Sequence, residues 1–239
     1  MLRTKPTLRL KLSYSAIIAG LLVAMIAGIY EQDVALARFA SARYYAQLAA
    51  ESVADVDTST PATPSRPTWY NTENIDLASL QTVNPDVVGW ILFENEPISY
   101  PILYSGDNSK YLRHTYEGNY AIAGSIFIDG DNHPDFTDAR TIIYGHNMFD
   151  DATMFSRLTH QLDVDYRANH RYFQIITTTA VYRYEINSAE VVNPTDSRYT
   201  ITKQDRAATS TPIIQLSTCY HGNKQRILVS AARVDHYDF

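Results

Sequence analysis

The chain has 239 residues, 45% of them hydrophobic and 19% charged, a composition that predicts a folded domain rather than a disordered chain. The net charge of −6 argues against nucleic acid as the main partner, because phosphate binding depends on patches of Lys and Arg. The single cysteine, Cys219, excludes an intramolecular disulfide bond.

The N-terminal segment has the pattern of a membrane anchor. Residues 1–11 contain four basic residues and no acid, and residues 12–30 carry no charge. This run is close to the roughly 20 apolar residues that span a bilayer. The basic flank predicts a cytoplasmic N-terminus, with the rest of the chain outside the cell. The alternative is a cleaved signal peptide, with VALA at residues 34–37 as the cleavage site.

A spacer separates the anchor from the main domain. Residues 31–50 are rich in Ala, Arg and Tyr and are predicted to continue the helix. Residues 58–67, TSTPATPSRP, have the composition of an extended, solvated linker. The predicted organisation is a basic cytoplasmic tail (1–11), a transmembrane anchor (12–30), a helix with a Pro/Ser/Thr-rich spacer (31–67) and an extracellular domain (68–239).

The main domain is predicted to be mainly β. A short helix with Leu77, Leu80 and Val83 on one face ends before Pro85, and ATMFSRLTHQL predicts a second helical segment. YFQIITTTAVYRYEIN predicts a hairpin. Many short strands with little helix indicate a barrel or a sandwich. Eight segments rich in β-branched and aromatic residues are predicted strands: VVGWILF, ISYPILY, SIFIDG, RTIIYGH, YFQIITT, AVYRYEIN, PIIQLSTC and RILVSAARV.

Cys219 ends the strand PIIQLSTC, and Arg226 begins the next strand seven residues later. A hairpin between these strands would set the two residues across from each other, near its open end. A thiol is nucleophilic only as a thiolate, so Cys219 needs a base or a cation nearby. Arg226 could stabilise the thiolate or an oxyanion. The alternatives are an inert buried thiol and a surface ion pair.

His146 is the candidate general acid or base, because it follows an apolar strand and a glycine in RTIIYGHNMF. His221, two residues past the cysteine, is the second candidate. The seven histidines lack the close pairing of a zinc motif, so no metal is expected. There is also no GxSxG, P-loop or GxGxxG motif, and no cofactor is expected.

Three segments together resemble the sortase family, and its class B in particular. LSTC at residues 216–219, with an Arg opening the next strand, resembles the signature in which a TLxTC strand ends at the catalytic cysteine. YGHNM at residues 144–148 resembles the segment with the catalytic histidine, and residues 84–129 resemble the N-terminal half of the class B domain. The resemblance covers residues 74–235. It departs at Gln215, where Thr is common, and at His221, where some members carry an acid.

The resemblance implies an eight-stranded β-barrel with added helices, and it implies roles for individual residues. Cys219 is similar to the nucleophile, His146 to the general acid/base and Arg226 to the oxyanion stabiliser. Thr218 matches a threonine of the substrate groove. Ser217, which precedes it, and Asn147, which follows His146, are also expected to bind substrate.

The implied reaction cleaves a C-terminal sorting motif of surface proteins or pilins and transfers the acyl group to an amine. That amine would be a peptidoglycan cross-bridge amine or a pilin lysine. Two other functions remain open at this point: a cysteine hydrolase that uses the same residues, and a non-catalytic, membrane-anchored binding module.

Overall fold

The structure, a computed structural model, describes residues 8–52, 67–70, 75–148, 153–222 and 224–239. Most of the predicted spacer therefore lies outside the described residues. The α-helices are α1 (Leu8–Glu51), α2 (Leu77–Val83) and α3 (Val164–Asn169), and short 3-10 helices cover Lys110–Leu112, Ser156–Leu162 and Ser197–Tyr199. The strands are β1 (Val87–Phe93), β2 (Ser99–Leu103), β3 (Ile126–Ile128), β4 (Arg140–Tyr144), β5 (Tyr172–Ile176), β6 (Ala180–Val192), β7 (Ile213–Tyr220) and β8 (Gln225–Asp238).

The eight strands form a closed barrel in the order β1-β2-β3-β4-β7-β8-β6-β5, with β5 pairing back to β1. The predicted mainly-β fold and the eight predicted strands are confirmed. Closure removes the unpaired edges that an open sheet would expose. Two of the neighbouring pairs, β2 with β3 and β4 with β7, are parallel. A parallel pair requires a long crossover between its strands. The crossover from β4 to β7 consists of the 68 residues between Tyr144 and Ile213, and the pairing brings the C-terminal ends of both strands together.

The barrel interior is packed with large apolar side chains, because the inward-facing positions of each strand are β-branched, aliphatic or aromatic. The largest fully buried side chains include Trp90, Tyr184 and Phe173 from the strands and Phe136 from the connection between β3 and β4. The predicted hairpin at residues 172–187 is present as β5 and β6, with Phe173 opposite Tyr184. Their rings stack with centroids 5.3 Å apart.

The two helical segments predicted within the domain differ in outcome. The first is α2, which begins where the Asp76 side chain accepts a hydrogen bond from the Ser79 backbone N–H. The second is a 3-10 helix that begins at Ser156, because Met154 has a φ of 54° and bridges to Asn147. Met154, Phe155 and Leu158, the predicted core face of this segment, are nevertheless fully buried.

Helix α1 is long and apolar enough to cross a membrane, and its exposed apolar side chains run from Ile17 to Tyr30. The same helix continues without a break onto the barrel, as the helical pattern of residues 31–50 predicts. Tyr45 is 2% exposed, and its hydroxyl donates to the Gly124 carbonyl oxygen over 2.6 Å. Its ring packs edge-on against Tyr100 at 5.3 Å between centroids. The C-terminal part of α1 is therefore part of the barrel's packing.

Candidate active site

The parallel ladder between β4 and β7 brings the histidine segment beside the cysteine segment. Tyr144 is the partner of Ser217, and the Gly145 N–H donates to the Ser217 carbonyl oxygen over 3.1 Å. In a parallel alignment, the residues two positions after a pair on each strand are again opposite each other. Continued two residues past the last pair of the ladder, this alignment sets His146 level with Cys219.

Arg226 lies beside Cys219 on β8, the strand that pairs with β7 on the side opposite β4. In the antiparallel ladder of β7 and β8, Cys219 and Arg226 are direct partners, as the seven-residue separation predicts. The expected position near the open end of the hairpin is wrong, however. Only the pair Tyr220 and Gln225 lies between them and the turn, because the connection is as short as residues 221–224. The pair is thus held near the closed, more constrained end.

The three residues line one cavity of about 230 Å³ at the barrel wall. Cys219 is a half-buried free thiol, and His146 and Arg226 are half-buried as well. The complete lining consists of Asn108, Leu112, Phe127, Tyr144, Gly145, His146, Ser217, Thr218, Cys219 and Arg226. A concave site with an apolar floor and a few convergent polar groups is the usual form of a binding or catalytic pocket.

The imidazole of His146 is oriented by a main-chain carbonyl. Its Nε2 lies 2.8 Å from the carbonyl oxygen of Leu112. A carbonyl can only accept, so Nε2 carries the hydrogen and Nδ1 keeps the lone pair. Burial lowers the pKa of His146, and the positive charges of Arg113 and Arg226 lower it further, although the bond to Leu112 opposes them. His146 is therefore held in its neutral form, with Nδ1 able to accept a proton.

Gly145 lets the histidine segment approach the barrel wall. A Cβ atom at this position would lie 2.4 Å from the Cδ1 atom of Ile126 and 2.6 Å from the Cδ2 atom of Phe155. Any larger residue would have to displace these buried side chains or the backbone next to His146.

Asn147 lies behind the cavity rather than in its lining. Its side chain is buried, and its Nδ2 donates to the carbonyl oxygen of Cys219 over 3.0 Å. The bond ties the residue after His146 to the backbone of Cys219. Asn147 was predicted to contact substrate, whereas its position in the structure joins the two segments that carry the cysteine and the histidine.

Ser217 and Thr218 both line the cavity and are 2% exposed, but their hydroxyl groups differ. The Ser217 hydroxyl pairs with the Tyr199 hydroxyl at 2.8 Å. The Thr218 hydroxyl has no hydrogen-bond partner among the described residues. An unsatisfied buried hydroxyl is costly, so Thr218 contributes a polar group that the described residues leave unpaired.

Residues that the sequence did not indicate also form the cavity. Tyr144 donates through its hydroxyl to the buried Asp129 carboxylate over 2.8 Å, and Asn108 donates to the same oxygen over 3.0 Å. Burial raises the pKa of Tyr144, and Asp129 raises it further. Tyr144 could have been found, since it precedes His146 by two positions and strand side chains alternate with that period. Asn108 and Leu112 come from the distant segment between β2 and β3, which has no such pattern.

His221 occupies the turn after β7, with a φ of 45° and an exposed side chain, and it does not line the cavity. Its ring contacts that of Tyr220 at a centroid distance of 4.0 Å. No group of three or more His, Cys, Asp or Glu side chains that could hold a metal ion occurs within the described parts of the chain.

Comparisons of the sequence with family models and with known proteins identify the same family. A family model for the sortase domain matches residues 95–234. Sortase B of Listeria monocytogenes is 45% identical over 111 residues, which cover 46% of this chain and 45% of that protein, so the match spans about half of each.

Two solved structures are similar to the whole barrel. Sortase B from B. anthracis has a TM-score of 0.63 and 27% identity, covering 84% of this chain and 99% of that one. The Staphylococcus aureus sortase B–substrate complex has a TM-score of 0.58 and 27% identity, covering 66% of this chain and 84% of that one. The eight-stranded closed barrel is therefore the fold of class B sortases.

Proposed function

This chain belongs to the sortase family, and we propose that it is a cysteine transpeptidase with Cys219 as nucleophile. The observation that carries the proposal is the arrangement around the thiol. His146 lies level with Cys219 on one neighbouring segment, Arg226 is its partner on the other, and all three line one cavity. A nucleophile, a base and a cation converging on one cavity are what acyl transfer through a thioester requires.

The first half-reaction forms an acyl-enzyme. The Cys219 Sγ attacks the scissile carbonyl carbon while its proton passes to Nδ1 of His146. The carbonyl π electrons move to oxygen, and the guanidinium of Arg226 donates hydrogen bonds to this oxyanion. The C–N bond then breaks, and His146 returns the proton to the leaving amine. The products are a thioester on Cys219 and the C-terminal fragment.

The second half-reaction transfers the acyl group. An incoming amine attacks the thioester carbonyl and gives a proton to His146, so that a new C–N bond forms. The C–S bond breaks, and the thiolate takes up the proton from the imidazolium. The half-buried position of Cys219 and the apolar cavity favour this step, because restricted access of water slows hydrolysis of the thioester.

Thr218 and Ser217 are proposed to contact the substrate peptide. The free hydroxyl of Thr218 supplies a hydrogen bond to the peptide. The Ser217 hydroxyl, already paired with Tyr199, shapes the wall. Asn147 is proposed to act through the backbone of Cys219 rather than by touching the substrate.

The proposed setting is the outer face of a Gram-positive cell membrane. Helix α1 is the proposed single-pass anchor, with the N-terminus in the cytoplasm and the domain at residues 68–239 outside. The proposed substrates are surface proteins or pilins with a C-terminal sorting motif. The acceptor would be a peptidoglycan cross-bridge amine or a pilin lysine. The similarity to a Staphylococcus aureus sortase B–substrate complex supports a sortase substrate for this chain.

Product analysis tests transpeptidation against hydrolysis. The full chain is incubated with a small library of sorting peptides, with and without an added oligoglycine or diamine, and products are identified by mass spectrometry. We expect the acyl fragment to be joined to the added amine. If only the free acid formed at saturating amine, the protein would be a cysteine hydrolase. If no peptide were cleaved and Cys219 did not react with a thiol-directed probe at neutral pH, a non-catalytic binding module would be favoured.

A further inference from the structure

A second cleft, of about 150 Å³, lies on the other side of His146, between α1 and the barrel. It is lined by Arg38 from α1, by Arg113 from the loop that precedes β3, and by the His146 segment. The proposed reaction does not use it. Two arginines beside a histidine, with apolar walls around them, make a positively charged cleft that is separate from the cavity of Cys219.

The positive charge of this cleft is not neutralised within the described residues. Neither Arg38 nor Arg113 forms an ion pair with a described carboxylate, and the residues one helical turn from Arg38, at 34, 35, 41 and 42, are Val, Ala, Ser and Ala. The Arg38 Nε is buried and has no hydrogen-bond partner among the described residues. Arg113 donates one N–H to the carbonyl oxygen of Ile122 over 2.8 Å. The remaining N–H donors of the two guanidinium groups have the geometry and charge to bind a phosphate group.

The position of the cleft along α1 identifies where such a phosphate would come from. The uncharged segment ends at Tyr30, and α1 continues without a break from there to Arg38. At about 1.5 Å per residue, the Arg38 Cα lies about 12 Å beyond Tyr30 along the axis. Side chains on a helix lean towards its N-terminus, which here is the membrane side. An arginine of this length and direction reaches back to the headgroup layer, which extends about 5–8 Å beyond the hydrocarbon.

We propose that the cleft between Arg38 and Arg113 binds the phosphate of an anionic phospholipid headgroup. The proposal rests on the proposed membrane anchoring through α1. With a lipid bound, the barrel is fixed at two points: the helix that enters the bilayer, and a headgroup clamped between that helix and the loop of Arg113. The face of the barrel that carries His146 is then held next to the membrane surface.

Lipid retention by the full chain tests the proposal. The protein is reconstituted in nanodiscs of phosphatidylcholine with phosphatidylglycerol, and the lipids that stay bound after release are counted by native mass spectrometry. We expect the wild-type chain to retain phosphatidylglycerol in preference to phosphatidylcholine. Because a basic residue near an anionic surface contributes about a fivefold change in binding, Arg38→Gln and Arg113→Gln should each lower retention roughly fivefold.

Arg43→Gln is the matched control, since Arg43 is exposed on α1 five residues further along and does not line the cleft. It should retain phosphatidylglycerol as the wild-type chain does. Thermal unfolding of each variant confirms that the barrel is folded. Wild-type retention in both Arg38→Gln and Arg113→Gln would overturn the proposal, as would an equal loss in Arg43→Gln. Displacement of the lipid by excess inorganic phosphate would assign the cleft to free phosphate instead.

The inactive Cys219→Ala variant separates this result from the enzymatic function. It should retain lipid like the wild-type chain, so a failure of transpeptidation leaves the lipid measurement intact. Conversely, if the protein catalysed transpeptidation but retained no lipid, the proposed function would stand and the lipid-binding inference would be wrong.

Discussion

Cys219 and Arg226 are direct partners across the antiparallel ladder of β7 and β8, one pair away from the turn. On the opposite side of Cys219, the parallel ladder of β4 and β7 brings His146 level with it. Two ladders with different strand directions thus converge on one thiol. Strand pairing fixes the backbones of Cys219 and Arg226, and the bond from Gly145 to Ser217 fixes the start of the His146 segment, so the barrel itself sets where the three residues lie.

Arg226 is predicted to stabilise the oxyanion. Arg226→Gln should lower kcat for a sorting peptide by roughly 10²–10³-fold, which is typical for removal of one oxyanion donor. Steady-state kinetics with a labelled peptide measure the change. Arg233→Gln is the control on the same strand, because Arg233 donates to the carbonyl oxygen of Ser210 and lies outside the cavity lining. Wild-type kcat in Arg226→Gln would remove Arg226 from the mechanism.

His146 is predicted to be the general acid and base, with His221 as its control. His146→Ala should lose roughly 10²–10⁴-fold in kcat/KM, the usual contribution of general acid–base catalysis. His221→Ala should keep most of its activity, since His221 is an exposed turn residue outside the cavity lining. The reverse pattern would transfer the role of base to His221.

The pH profile should reflect the lowered pKa of His146. Burial, with the charges of Arg113 and Arg226, disfavours the imidazolium, so the neutral base persists to lower pH. We expect the acid limb of kcat/KM to lie below about 6.5, the ordinary pKa of histidine. Arg113→Gln removes one positive charge and should move this limb upward. A limb above 6.5 in the wild-type enzyme, or a downward movement in Arg113→Gln, would contradict the assignment.

Asn147 is predicted to position Cys219. Asn147→Ala leaves the Cys219 carbonyl without its donor, which should cost about 1–3 kcal/mol of folding free energy and lower kcat more than it raises KM. Chemical denaturation and steady-state kinetics measure the two effects. Asn95→Ala is the matched control, because Asn95 also donates through Nδ2 to a backbone carbonyl, that of Asn169, but is exposed.

Unchanged kcat and stability in Asn147→Ala would show that this bond does not position the cysteine. A rise in KM alone would instead support the direct substrate contact expected from the sequence. Asn147→Ser, which keeps a shorter hydroxyl donor, should recover part of the lost kcat if positioning is the role.

Much of this site follows from local sequence patterns. The strands are short apolar segments bounded by turn residues, and the seven-residue separation of Cys219 and Arg226 forces them across a hairpin. Their position at the turn end follows from the same short loop. His146 was indicated by its place after a strand and a glycine, and Gly145 proves to be the residue that permits this approach.

The remaining features depend on contacts between distant segments. The register that sets Tyr144 against Ser217 joins strands from separate parts of the chain, and no local pattern specifies a parallel register. The Leu112 carbonyl that orients His146 belongs to the 3-10 helix Lys110–Leu112, and Leu112 lies 34 residues earlier in the chain. The turn geometry at Met154, which shortened the expected helix, accompanies a β-bridge to Asn147.

The most direct test of the central claim is the intact mass of the protein after brief reaction with a sorting peptide in the absence of an amine. The account predicts that the wild-type chain gains the mass of the N-terminal peptide fragment, that peptide mapping places the adduct on Cys219, and that an added amine removes it. Cys219→Ala should show no adduct and no cleavage. Cleavage by Cys219→Ala, or an adduct on another residue, would contradict the assignment of Cys219 as the nucleophile.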